Sequence, residues 1–157
     1  MCMKNIKGIW FYGVSGSGKS YVSKILENKI KNSVIVDGDI VRKYISYDLG
    51  YSLEDRQKQI RRMFGIGKII CMSKKFPIIS TVYFDKKVRK MANNQNFYIL
   101  HVIRKNKDLI KKNNPTYKNL KNIVGQDIPY ENFQTDELIN DDSKNFWKKN
   151  KVLNKFS

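Results

Sequence analysis

Gly13-Val14-Ser15-Gly16-Ser17-Gly18-Lys19-Ser20 satisfies G-x-x-x-x-G-K-[ST], and the reading of the whole chain works outward from it. An apolar run of strand length, Ile6 to Tyr12, leads into it. From Lys19 to about Asn28, Val22, Ile25 and Leu26 then recur at helical spacing. Strand, glycine-rich loop and helix in that order wrap backbone N–H groups and a helix N-terminus around an anion. Lys19 adds a point charge at the phosphates, and the Ser20 hydroxyl suits a Mg²⁺ ion that keeps most of its water. Gly13, Ser15, Gly16, Ser17, Gly18, Lys19 and Ser20 are therefore candidate ATP-binding residues, with Mg²⁺ as cofactor and ATP as phosphoryl donor.

Further along, Ser33 to Val36 is a β-branched strand ending in the acidic turn Asp37-Gly38-Asp39, and Ile40 to Tyr44 starts a helix. A long helix is expected from Leu53, with Ser52 as N-cap and Asp55 three residues on, closing before Lys74, Lys75 and Pro77. Ile78 to Phe84 and Phe97 to Ile103 are the next strands, with a short basic helix, Lys87 to Met91, between them. Strand and helix by turns predict an α/β fold, a mostly parallel sheet flanked by helices in a three-layer sandwich. The stretch 107–122 is rich in Lys and Asn and reads as a basic, mobile lid, and residues 145–156 read as a C-terminal helix docking through an aromatic stripe.

The 157 residues fit one domain, 1–157, and carry 31 Lys and Arg against 14 Asp and Glu, for a net charge of +17. That excess calls for an anionic partner without choosing among nucleotide, nucleic acid and acidic surface. With Cys2 and Cys71 alone, a disulfide framework or thiolate metal site is disfavoured, and a reducing cytoplasm is the expected location. No run approaches the ~20 apolar residues of a membrane span, so no membrane partner is expected.

The acceptor side is read from the acidic turn. Asp37-Gly38-Asp39 leaves a strand at the carboxyl edge where a parallel sheet places ligands, and Arg42 lies one helical turn beyond Asp39. Asp39 and Lys19 are the candidate catalytic residues, Asp39 by orienting an acceptor hydroxyl. Asp37, with Ser20, is the candidate metal-binding residue. Arg56 and Gln59 share a helix face, and Tyr51 just before that helix can stack on a base.

GVSGSGKS, VDGDIVR, DLGYSLEDRQKQIRR and KNIVGQDIPYE, in that order, resemble the adenylylsulfate kinase family over about residues 8 to 142. The resemblance implies a P-loop NTPase-type fold, Mg²⁺-dependent transfer of the ATP γ-phosphoryl group to a ribose 3′-hydroxyl, and assembly as a homodimer. Carried over by position, Asp39 sits by the accepting hydroxyl, Arg42 and Arg56 grip the acceptor, Tyr51 stands where an aromatic stacks on its base, and Gln59 replaces an Asn. In the lid, Lys112 replaces an Arg on the ATP side and Lys118 is the acceptor-side lysine. Tyr83 and Phe84 replace a Ser and a Pro at the end of the third strand.

These departures leave the phosphate loop intact and cluster around the acceptor. The chain is similar to a capsule-biosynthesis branch of the family in which the acceptor is cytidine diphosphoramidate, the favoured small-nucleotide acceptor here, with adenylylsulfate as the alternative. Of another class, a nucleic-acid-binding module fits the +17 charge and the many aromatics, and a regulatory ATP-binding protein with weak turnover fits the shortened lid; nucleic acid is the disfavoured partner.

Overall fold

The computed structural model describes residues 6–106, 108, 121–131 and 134–156. Among the described residues, five strands form one parallel sheet in the order β2-β3-β1-β4-β5: β1 Gly8–Tyr12, β2 Ser33–Asp37, β3 Phe76–Thr81, β4 Phe97–Arg104 and β5 Asp136–Asn140. Among the described residues, α1 Lys19–Glu27, α2 Gly38–Tyr44, α3 Leu53–Met72 and α4 Lys86–Asn94 run between β1 and β4. The three-layer α/β sandwich read from the sequence is the fold observed.

β1 lies at the centre, paired with β3 and β4, and all five of its residues are buried. Alternate side chains feed opposite faces. Trp10 and Tyr12 join Ile60, Met63, Ile79 and Phe97 in the core under α3 and α4. Ile9 and Phe11 join Val22, Leu26, Leu100 and Leu138 under α1 and the C-terminal segment. Gly67 lets α3 lie close to the sheet, since a Cβ there would stand 2.8 Å from Ile79 Cδ1.

Helix starts follow their local chemistry. The Ser52 hydroxyl accepts from Asp55 N–H at 3.1 Å and donates to the Asp55 carboxylate at 2.8 Å, and that carboxylate also takes Gly50 N–H at 3.1 Å. Asp85 caps α4 by accepting from Val88 N–H at 2.7 Å, which starts that helix one residue before the expected Lys87.

Two expectations are corrected. The third strand runs Phe76–Thr81 and not Ile78 to Phe84, because Pro77 is tolerated beside the strand's first residue, where little of the ladder is lost. The chain then leaves the sheet so that Phe84 can bury its ring 5.1 Å from that of Trp10 and 5.0 Å from that of Tyr12. The C-terminal segment is not one α-helix but two 3-10 turns, Phe146–Lys149 and Leu153–Phe156. Asn150 separates them: its backbone is extended, and its side-chain oxygen accepts from Val152 and Leu153 N–H at 3.0 Å each. The aromatic docking itself is present, with Phe146, Trp147 and Leu153 buried. β5 was not anticipated. Apart from Asp108, Lys121 and Asn122, the expected lid at 107–122 lies outside the described residues.

Candidate active site

Two hollows open at the carboxyl edge of the sheet. The first is lined by the loop between β1 and α1, through Ser15, Gly16, Gly18, Lys19 and Ser20, together with Asp37 and Asp39. Gly13 and Ser17 shape this loop from beneath: a Cβ on Gly13 would meet the Val102 carbonyl oxygen at 2.3 Å, and Ser17 is fully buried. The Lys19 ammonium donates to the carbonyls of Gly13 at 2.8 Å and Val14 at 2.9 Å. Burial lowers its pKa to about 8, against the opposing pull of the Asp37 and Asp39 carboxylates.

Asp37 ends β2 and serves two neighbours at once. One oxygen caps α2 by accepting from Asp39 N–H at 2.9 Å, and the other accepts from the hydroxyls of Ser20 at 3.3 Å and Ser80 at 3.4 Å. A hydroxyl and a carboxylate side by side are hard oxygen donors, which fits Mg²⁺ and no softer metal. Among the described residues no group of three or more His, Cys, Asp or Glu could hold a metal ion.

The second hollow is lined by Arg42, Tyr51, Arg56, Gln59, Tyr83 and the segment Lys121–Val124, and it shares Asp39 and Ser15 with the first. Both arginines flank one ring: the guanidinium carbon lies 4.6 Å from the Tyr51 centroid for Arg42 and 5.5 Å for Arg56. Arg42 donates to the carbonyls of Leu49 at 3.1 Å and Gly50 at 2.5 Å. Arg56 donates to those of Tyr51 at 3.2 Å and Asn122 at 2.9 Å. Among the described residues, no carboxylate forms an ion pair with either. Burial, and then the charge of Arg42, hold the Arg56 pKa below its ordinary value. Two guanidiniums turned on one hollow without a carboxylate partner fit an anion. Gln59 is buried and donates to the Gly38 carbonyl at 3.1 Å.

Each predicted residue on the described chain thus lies at one hollow or in the loop that forms it, and Asp39 borders both. Lys112 and Lys118 fall outside the described residues. The sequence reading missed Lys121 to Val124 as a wall of the second hollow, although KNIVGQDIPYE had been singled out. It also missed Arg104 and Asn140, which hold the phosphate loop from behind: Arg104 donates to Gly16 O at 3.1 Å and Asn140 to Ser17 O at 2.8 Å.

A parallel sheet in this order, with a phosphate-binding loop between its central strand and first helix, defines a P-loop NTPase fold. The matching family model is adenylylsulphate kinase, over residues 6–141. The chain belongs to that family. It is 35% identical over 96 residues to the adenylyl-sulfate kinase of Halothermothrix orenii, covering 57% of this chain and 52% of that protein. With the adenylyl-sulfate kinase of Bacillus velezensis it shares 30% identity over 151 residues, covering 87% of this chain and 76% of that one. The chain thus spans about half of the first relative and about three quarters of the second.

Among solved structures, the Mycobacterium tuberculosis APS kinase in complex with AMPPNP and APS has the same fold. Its TM-score is 0.75 at 24% identity, over 89% of this chain and 91% of that one. A hexameric APS kinase from Thiobacillus denitrificans superimposes with a TM-score of 0.53 at 24% identity, over 64% of this chain and 23% of that one. No helix among the described residues is long and apolar enough to cross a membrane.

Proposed function

We propose that this chain transfers the γ-phosphoryl group of ATP to the ribose 3′-hydroxyl of adenylylsulfate. The observation that carries the reading is the pair Arg42 and Arg56, facing a hollow that meets the phosphate cradle at Asp39. Membership of the adenylylsulphate kinase family and the names of its relatives support the same acceptor.

In this reading the loop amides and Lys19 hold the triphosphate, and Asp39 orients the acceptor hydroxyl for in-line attack and takes its proton late in transfer. Arg42 and Arg56 grip the anionic part of the acceptor, with its base against Tyr51 and Gln59. Ser20 and Asp37 would hold Mg²⁺, which when bound neutralises charge on the β- and γ-phosphate oxygens. Positioning and fixed charge supply most of the rate in such transfers. Lys112 and Lys118 contribute from the ATP and acceptor sides, so Lys118→Ala is expected to lower acceptor turnover more than ATP affinity. The single-domain reading of 1–157 and association of copies belong to this proposal; the second is supported by the hexameric relative and tested by light scattering.

A second reading, with cytidine diphosphoramidate as acceptor, is favoured by one feature. Tyr83, where the resemblance puts a Ser, is 3% exposed and lines the acceptor hollow, and its larger side chain suits a smaller base. A matched assay at fixed MgATP, following ADP and the phosphorylated product from each acceptor, decides between them. Turnover of neither overturns the kinase reading.

A further inference from the structure

We infer that Asn140 is a positioning residue for the phosphate loop: by pinning the Ser17 carbonyl, its amide turns the Gly18 N–H toward the bound phosphates. The inference rests on the reading of residues 13–20 as the ATP cradle. Asn140 ends β5 and is 6% exposed. Its Nδ2 donates to Ser17 O at 2.8 Å, and its Oδ1 accepts from Asp142 N–H at 2.9 Å. The two contacts fix the amide's orientation, because turned over it would set oxygen against oxygen at Ser17 and N–H against N–H at Asp142.

A trans peptide unit carries its C=O and the following N–H in opposite directions. Holding Ser17 O on the β5 side therefore directs the Gly18 N–H away from β5, and Gly18 lines the first hollow. Gly18 is cut to the same fit. It has φ +107°, and a Cβ there would stand 2.6 Å from Asn140 Nδ2. The preceding peptide unit is held alike: Arg104 donates to Gly16 O at 3.1 Å, pairs with Asp142, and is the direct register partner of Asn140 across β4 and β5. That unit's own N–H, on Ser17, closes the loop by donating to Val14 O at 3.1 Å. Two consecutive loop carbonyls are thus held from the last strands of the sheet.

The test uses the full chain with two variants. Asn140→Asp keeps the size and the acceptor toward Asp142 but removes the donor to Ser17. Asn140→Ser is neutral and too short to reach Ser17, so it controls for the added charge and serves if the first variant fails to fold. In both, MgADP affinity by calorimetry is expected to fall and the KM for ATP to rise about tenfold, the scale of one buried hydrogen bond lost. The acceptor KM should stay within about twofold of the parent, a split that general loosening of the fold would not produce. Parental ADP affinity in folded variants, or equal rises in both KM values, would overturn the inference. A parent chain that binds no MgADP would overturn the ATP-cradle reading beneath it.

Discussion

The guanidinium of Arg42 lies 4.6 Å from the centre of the Tyr51 ring, and its Nη1 donates to the carbonyls of Leu49 and Gly50. The turn that carries Tyr51 is therefore fastened to α2, the helix that begins beside Asp39. A planar fork achieves this, and a point charge on a flexible stem does not. Arg42→Lys is expected to raise the acceptor KM by roughly ten- to a hundredfold, the loss of one charge-assisted contact and one stacked face. ATP affinity should be unchanged. Steady-state kinetics with each substrate varied in turn measures both, and a matching loss toward ATP would remove Arg42 from the acceptor side.

Lys19 gives the cradle a pH dependence. Burial brings its pKa down to about 8, whereas a phosphate beside the ammonium favours the protonated form and raises it. Binding ATP above that pH must then take up a proton. Affinity is expected to be level below pH 8 and to fall as pH rises beyond it, by at most about tenfold per unit. Calorimetry at pH 9 in buffers of different ionisation enthalpy reads the uptake directly. Lys19→Met should bind more weakly and lose the slope; a slope that survives assigns the proton elsewhere.

Asp39 borders both hollows and is exposed at the start of α2. Replacing its carboxylate with an amide keeps the shape and removes the base. Asp39→Asn is expected to keep ATP affinity within about twofold and to lower turnover by roughly a hundredfold or more. An equal loss in binding and turnover would point to a metal-holding role.

Asp37 separates stability from metal use. Asp37→Ala removes the cap of α2 together with the acceptor for two hydroxyls, and should cost about 1 to 2 kcal/mol in urea unfolding. Asp37→Ser keeps a capping oxygen, so it should recover most of that stability while needing more Mg²⁺ for half-maximal activity. If the serine variant shows a parental Mg²⁺ requirement, Asp37 is structural only.

The parts legible in the sequence are those whose meaning is local. Gly13 to Ser20 and Asp37 to Arg42 carry their chemistry within one or two turns of chain, beside strands apolar enough to be recognised. Ser52 and Asp55 announced the start of α3 for the same reason. β5 was illegible because it is an edge strand of five residues, Asp136-Glu137-Leu138-Ile139-Asn140, in which the first two are exposed and only Leu138 and Asn140 are buried. The supports of the phosphate loop were hidden by distance along the chain, 88 residues from Arg104 to Gly16 and 123 from Asn140 to Ser17. At the C-terminus the aromatic spacing suited a helix well enough, and one side chain, Asn150, broke it.

The order β2-β3-β1-β4-β5 bears on biosynthesis. Of these five strands the earliest to be synthesised takes the middle place, and neither of its neighbours adjoins it in the chain. The loop that follows it waits for β5 before its rear wall exists. A nascent polypeptide stalled with Asn140 still in the exit tunnel holds the whole glycine motif and yet lacks a finished nucleotide pocket. Arrested chains of increasing length should gain nucleotide protection in one late step, after β5 is released, and not when residue 20 appears.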